Sequence, residues 1–306
     1  MSAPAAARVF APENLRGSAW MLLSVLSASA MIVAARWISD GVDSRVVVFL
    51  RSAVTLAVLA PLLAWPAALA RLTFSRPWLH LARGVMIGVS TQMGFHAISV
   101  LPLATVTVLF FTAPIFAVLL AGPVNGERVG PRRWAAVLAG FCGALVILRP
   151  GVGGLEDAAL WASAAALASS LMFALALALS RGLAQADGPA ATYVSSTVAT
   201  ALISAPLAAL AWELPTGGAE WGVLALLTGA GALRGIADIQ AYRYGEASVV
   251  GVVAYLRLAL VGAAGWWLFA ETPNAFTWAG GAIIVAATLY IARREAALRG
   301  AGRRRG

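Results

Sequence analysis

Ten runs of about twenty mostly apolar residues fill this chain, and a run of that length is what an α-helix needs to cross a bilayer. They fall at 17–37, 46–65, 77–99, 103–122, 132–148, 156–180, 190–212, 220–241, 247–270 and 274–292. Turn-forming residues punctuate them: Pro66, Pro77, Pro102, Gly126-Glu127-Arg128, Pro150-Gly151, Gly188-Pro189, Pro215 and Pro273. Inside hydrocarbon every backbone polar group must be satisfied within its own segment, so such runs read as helices. The expected fold class is an all-α polytopic membrane protein with ten transmembrane helices. Ten spans nearly use up the 306 residues, leaving a short segment at 1–16 and an Arg-rich tail at 293–306. Composition agrees: only 11% of residues are charged, against about 25% in a soluble domain. Ala28-Ser29-Ala30 resembles a signal-peptidase site, but the apolar run continues past it through Met31 to Ala35, so this segment reads as the first span.

All 22 basic residues are arginine. Without lysine there is no Walker A lysine and no Schiff-base lysine, which argues against ATP-driven pumping by this chain alone. Cys142, His80 and His96 offer neither a disulfide framework nor zinc-ligand spacing, and no cofactor is implied. With an even number of spans both termini share a side. Fifteen of the arginines fall on that side and three, Arg36, Arg45 and Arg149, on the other. The positive-inside rule then places both termini in the cytoplasm, with an inner-membrane location expected. So placed, the positive charge serves topology and gives no sign of a nucleic-acid partner; the expected partners are the lipid bilayer and a small-molecule substrate.

The halves of the chain resemble each other at a nearly constant lag. Glu127, Trp134 and Arg149 recur 144 residues later as Glu271, Trp278 and Arg293, and Phe95-His96-Ala97 answers to Ile239-Gln240-Ala241. Ala60-Pro61-Leu62 matches Ala205-Pro206-Leu207. The expected division is a first repeat at 17–150 and a second at 151–292. Five spans per repeat is an odd number, so the second repeat enters the membrane inverted. Inverted repeats that rock around a central site are the mark of secondary transporters.

The residues then carry a family resemblance. His96 to Ala104, Phe111-Thr112-Ala113-Pro114-Ile115-Phe116, Gly126-Glu127-Arg128 and Arg149-Pro150-Gly151 resemble the first repeat of the EamA family of the drug/metabolite transporter superfamily. Gly245-Glu246-Ala247-Ser248, Tyr255-Leu256-Arg257-Leu258, Glu271 and Tyr290 resemble its second. The resemblance implies a ten-helix secondary transporter with a central cavity lined mainly by helices 1, 3, 4, 6, 8 and 9. It does not name a substrate, since relatives carry amino acids, riboflavin, S-adenosylmethionine or drug-like amines.

Ionisable groups inside spans are costly and usually face a cavity or a partner. Arg51 and Arg83 lie about 9 Å inside their helix starts, where a side chain can snorkel to the headgroups, so both read as structural. His80 reads as interfacial. Arg257 lies about 15 Å into the ninth span, and Arg234 about 12 Å from the end of the eighth. Asp238 is one turn from Arg234 and can pair with it. A short turn joins these two spans, so they are expected to be antiparallel neighbours. Their charges form either a structural Arg–Asp–Arg cluster or a cavity wall in which a guanidinium meets a substrate carboxylate or phosphate. Gln92 and His96 share a face of the third span, with Gln240 as the lag partner of His96. Trp20, Phe110, Phe111, Trp161, Phe173 and Tyr255 could stack on a planar substrate or simply pack. The candidate cavity residues are thus Gln92, His96, Phe110, Arg234, Asp238, Gln240, Tyr255 and Arg257. Gly84-x-x-x-Gly88 and Gly231-x-x-x-Gly235 are expected to permit close helix approach, Pro114 to kink the fourth span, and Trp134 and Trp278 to anchor at the interface.

The function expected from these readings is alternating-access transport of a small amphipathic metabolite, with an amino acid or related organic anion favoured. A riboflavin- or S-adenosylmethionine-type permease is the alternative, and proton or ion coupling is open. A passive channel is a further reading. An intramembrane enzyme is disfavoured, because no span holds paired carboxylates and no Ser–His–Asp set lies at compatible depth.

Overall fold

The computed structural model describes residues 12–66, 72–125, 130–148, 157–245, 250 and 253–302. The Glu127 motif, Arg149-Pro150-Gly151, Glu246 to Ser248 and the last three arginines lie outside them. The described residues form ten α-helices: α1 Pro12–Ile38, α2 Ser44–Leu63, α3 Pro77–Val100, α4 Leu103–Phe110, α5 Ala113–Asn125, α6 Pro131–Leu148, α7 Asp157–Ala209, α8 Gly218–Tyr244, α9 Leu256–Phe269 and α10 Ala275–Gly302. They are not one helix per span. The fourth span is divided between α4 and α5, and α7 holds the sixth and seventh spans. Six stretches are long and apolar enough to cross a bilayer, and three more helices are apolar but shorter. The protein is an all-α polytopic membrane protein.

Local sequence explains the breaks. In α7 the chain turns at Gly188, whose φ of 84° is one that side chains beyond glycine rarely adopt, and Pro189 follows. The fourth span is expected to kink at Pro114; instead it is interrupted at Phe111–Thr112. Proline has no N–H to bond the carbonyl four residues back, at Phe110, and its ring crowds that carbonyl. The helix therefore ends at Phe110 and restarts at Ala113, while Thr112 turns its hydroxyl onto Leu109 O at 2.6 Å. Glu220 starts α8 by accepting the backbone N–H of Thr216 at 2.6 Å, and Asn274 caps α10 by accepting that of Thr277 at 2.8 Å.

Helix α3 packs along α7, α1 along α8, and α10 along α6. Small residues allow two of these approaches. A side-chain carbon at Gly84 would lie 2.6 Å from Ala199 of α7, and one at Gly280 of α10 would lie 2.4 Å from the backbone oxygen of Gly143 in α6. On α8 the expectation fails: Gly235 has nothing within 4 Å, and Gly231 faces the Arg51 side chain. Among the described residues, α8 and α9 do not pack mainly on each other. Helix α8 packs on α1 and α2, and α9 on α1 and α4, so α1 mediates between them. Large apolar side chains such as Trp161, Leu202 and Trp267 point outward, as expected where lipid is the solvent.

At the end of the bundle where α1 begins, polar side chains tie α3 to α7. His80 is buried between these helices. Its Nε2 lies 3.0 Å from Asp187 Oδ2 and its Nδ1 2.9 Å from Ser195 Oγ. Asp187 also accepts the Ser75 N–H at 2.9 Å. One turn along α3, Arg83 donates to Ser180 Oγ at 2.7 Å, to Thr192 O at 3.1 Å and to Ser196 Oγ. Arg83 is thus structural, through helix-to-helix bonds.

Candidate substrate cavity

A cavity of about 1090 Å³ opens among α1, α2, α3, α4, α5, α7, α8 and α9. In terms of spans this is the set expected from the family, with the second span added. At one end its lining is closed: Ile32, Phe95 and Ile98 are at most 5% exposed. At the other end lie Met21, Leu177, Ile239 and the exposed Arg243, toward the start of α1. The lining is mostly apolar and carries Phe95, Phe110, Phe111 and Phe173, with Ser24, Ser90, Thr91, Ser169 and Ser170 as polar points.

Four of the eight candidate residues line this cavity: Phe110, Arg234, Asp238 and Arg257. Arg234 Nε lies 3.6 Å from Asp238 Oδ2, the pairing expected from their spacing. Asp238 has a second partner that the sequence gives no sign of: Ser24 Oγ on α1 donates to Oδ1 at 2.5 Å. Arg257 does more than the pairing suggests, since its guanidinium lies 4.8 Å from the centre of the Phe111 ring. The other four are elsewhere. His96 is exposed at the far end of α3, where a polar residue needs no cavity to be solvated. Gln92 and Gln240 are part-buried but absent from the lining. Tyr255 stands one layer behind, stacked on Phe111 with ring centres 4.9 Å apart and planes at 14°. Of the remaining aromatic candidates, Phe173 lines the cavity, while Trp161 is exposed; Trp134 and Trp278 are exposed as well, as expected of interface anchors.

The residue most clearly missed is Arg51. It does not snorkel. Its guanidinium turns into the cavity, 5.7 Å from the Phe95 ring centre and beside Gly231. Depth measured along the helix is blind to the direction in which a side chain points.

Phe111 and Tyr255 stand at corresponding places. Each interrupts its span just before a helix restarts, at Ala113 and at Leu256. They lie 144 residues apart, at the sequence lag, and their rings stack against each other. Interrupted helices at membrane depth are tolerated where they are covered by protein or line a cavity. Their restarting N-termini add partial positive charge to this one.

The closed end is held by a polar cluster. Arg36 of α1 donates to Ser99 O at 2.8 Å, and its Nε lies 3.6 Å from Glu271 Oε1, in the turn between α9 and α10. The Leu103 N–H that opens α4 donates to Glu271 Oε2 at 2.6 Å. Burial pushes the Glu271 carboxyl above its ordinary value, against the opposing pull of Leu103 N–H and Arg36.

Comparison with known proteins decides the family. The family model described as EamA-like transporter family matches residues 15–149. A riboflavin transporter of Rhizobium johnstonii is 31% identical, the match covering 91% of each chain. The chain belongs to the EamA family of the drug/metabolite transporter superfamily. An S-adenosylmethionine uptake transporter of Rickettsia felis is 28% identical, covering 92% of this chain and 94% of the relative. A solved crystal structure superimposes with a TM-score of 0.60 at 21% identity, over 91% of this chain and 98% of the other, which supports the fold. This EamA protein is a small-molecule transporter of the multi-pass membrane class.

Proposed function

We propose that this protein carries a planar heterocyclic vitamin or nucleoside-type cofactor, of the riboflavin or S-adenosylmethionine kind, by alternating access. The observation that carries this reading is the agreement of two facts. Relatives matched over nearly their whole length are named riboflavin or S-adenosylmethionine transporters. The cavity is roomy and walled by Phe95, Phe110, Phe111 and Phe173, which suits a flat ring system. An amino acid, the reading favoured by sequence alone, would use little of that aromatic wall and has less support from these relatives. Two inverted repeats at 17–150 and 151–292, with both termini in the cytoplasm of an inner-membrane protein, complete the proposal. The Phe111–Tyr255 stack at the repeat lag supports the inverted pair. With that orientation the cavity faces the cytoplasm.

A thermal-shift and binding screen of the purified protein tests it. Riboflavin or S-adenosylmethionine should stabilise the protein in a saturable way, while single amino acids should not. Stabilisation by amino acids with no response to either cofactor would return the assignment to the amino-acid reading.

A further inference from the structure

We propose that the preferred substrate is a net anion, a planar heteroaromatic ring bearing a phosphate or carboxylate, and that Arg51 recognises the anionic group. This rests on the ring-binding reading above and adds the charge of the substrate to it. Among the described residues, four arginines line the cavity, Arg51, Arg234, Arg243 and Arg257, with one carboxylate, Asp238. Asp238 is already engaged by Arg234 and by Ser24 Oγ, and Arg257 has contacts of its own, so the charge left to meet a ligand is that of Arg51 and Arg243. The remaining positive charge repels a ligand that is cationic overall and attracts one that is anionic.

Arg51 is the best placed of the four. It lies toward the closed end, with Ile32, Phe95 and Ile98 around the cavity wall. Among the described residues no carboxylate oxygen comes within 4.0 Å of it. Its position is built rather than accidental. A side-chain carbon at Gly231 would stand 2.8 Å from Arg51 Nη2, so the glycine makes the room that the guanidinium occupies. A cation inside a membrane protein without a counter-ion is costly, and a bound anion offsets that cost. The planar fork of arginine fits a carboxylate or a phosphate in two-point contact. Phe95 and Phe110 offer the adjoining ring surface.

The test compares three flavins that share a ring and differ in charge, with S-adenosylmethionine as a cationic ligand bearing an adenine ring, on the full-length protein in nanodiscs. The probes are riboflavin (neutral), carboxymethylflavin, flavin mononucleotide and S-adenosylmethionine (net positive). At least one of the two anionic flavins should bind about tenfold more tightly than riboflavin, the scale of one charge-assisted hydrogen bond. Which of the two leads tells carboxylate from phosphate. S-adenosylmethionine should bind more weakly than riboflavin. Arg51→Gln should bring the anionic flavins to parity with riboflavin, and Arg51→Lys should keep part of the preference. Equal binding of riboflavin and both anions by the wild type, or tightest binding of S-adenosylmethionine, overturns the proposal even if Arg51→Gln does not fold. A folded Arg51→Gln protein that keeps the full preference removes Arg51 from the role. Binding of none of the four overturns the ring-binding function itself, an outcome distinct from ring binding without charge preference.

Discussion

A guanidinium within a membrane span has to find a partner, a cavity or the headgroup layer, and this chain uses the first two in different places. Arg83 is taken up by Ser180, Ser196 and the Thr192 carbonyl, and Arg234 by Asp238. Arg257 lies in the first turn of α9 and faces the Phe111 ring. If that stack also positions the substrate, Arg257→Ala should reduce proteoliposome uptake at least about tenfold, the effect of losing a desolvated cation–π contact and a cavity charge. Arg257→Lys should restore only part of it, since an ammonium has no plane to stack. Uptake by Arg257→Ala equal to wild type, at equal amounts of inserted protein, would show that Arg257 only packs. Arg234, Asp238 and Arg257 could be singled out in the sequence because charge in an apolar run is rare. Ser24 could not: serines are common in this chain, and this one matters only because it meets Asp238, 214 residues away. His96 misled for the converse reason, since a polar side chain near a helix end is satisfied by water without any site.

Spans were legible as elements because hydrophobic length carries them; the interruptions within spans were less so. Pro114 marks the fourth span as irregular, yet the break falls before it, where the missing hydrogen bond to Phe110 is felt. No proline marks the turn at Tyr255, and only the lag to Phe111 points to it. Glycine spacing was an even weaker guide, as the same G-x-x-x-G pattern is a helix seam in α3 and room for a side chain in α8. The seam between α6 and α10 lets two backbones approach directly at Gly143 and Gly280. Because backbone cannot swing aside, Gly280→Ala should destabilise the protein by about 1–3 kcal/mol, the usual result of overpacking. Gly235→Ala should be close to neutral in the same thermal-unfolding assay. The opposite change is expected at Ala270, which ends α9 in the left-handed region at φ 53°. There Ala270→Gly should stabilise by about 1 kcal/mol, by removing the strain of a side chain in that conformation. An unchanged midpoint for Gly280→Ala would mean that α6 and α10 can separate at little cost.

At the scale of the whole molecule the cavity is closed at one end and bounded by exposed residues at the other, and the alternating access proposed above requires the closed end to open. That end is plugged by Ile38, Val42, Val46, Val47 and Leu101, all buried. It is clasped by Arg36, Ser99, Leu103 and Glu271, which bring α1, α3, α4 and the α9–α10 turn to one point. The apolar plug can separate only if the clasp releases, so the charge of Glu271 is expected to set the ease of opening. Its carboxyl is held above the ordinary value by burial. A group raised in the closed state contributes stability that is complete below its ordinary value and is lost as pH rises through the raised one. Mild acid should therefore favour the closed end, and rising pH should loosen it. A cysteine at position 98, on the closed wall of the cavity, reports the opening, with the exposed Cys142 replaced by serine. Its labelling by an impermeant thiol reagent from that side should accelerate with pH more steeply than thiolate formation alone explains. Glu271→Gln keeps an acceptor for the Leu103 N–H but cannot ionise, so in that background the excess pH dependence should vanish. Glu271→Ala loses both contacts and should label faster than wild type throughout. Arg36→Ala should have the same sense, and the double variant should exceed neither single by much, because both act on one clasp. Labelling that follows thiol ionisation alone in every variant would mean that the plug, not the clasp, controls this end.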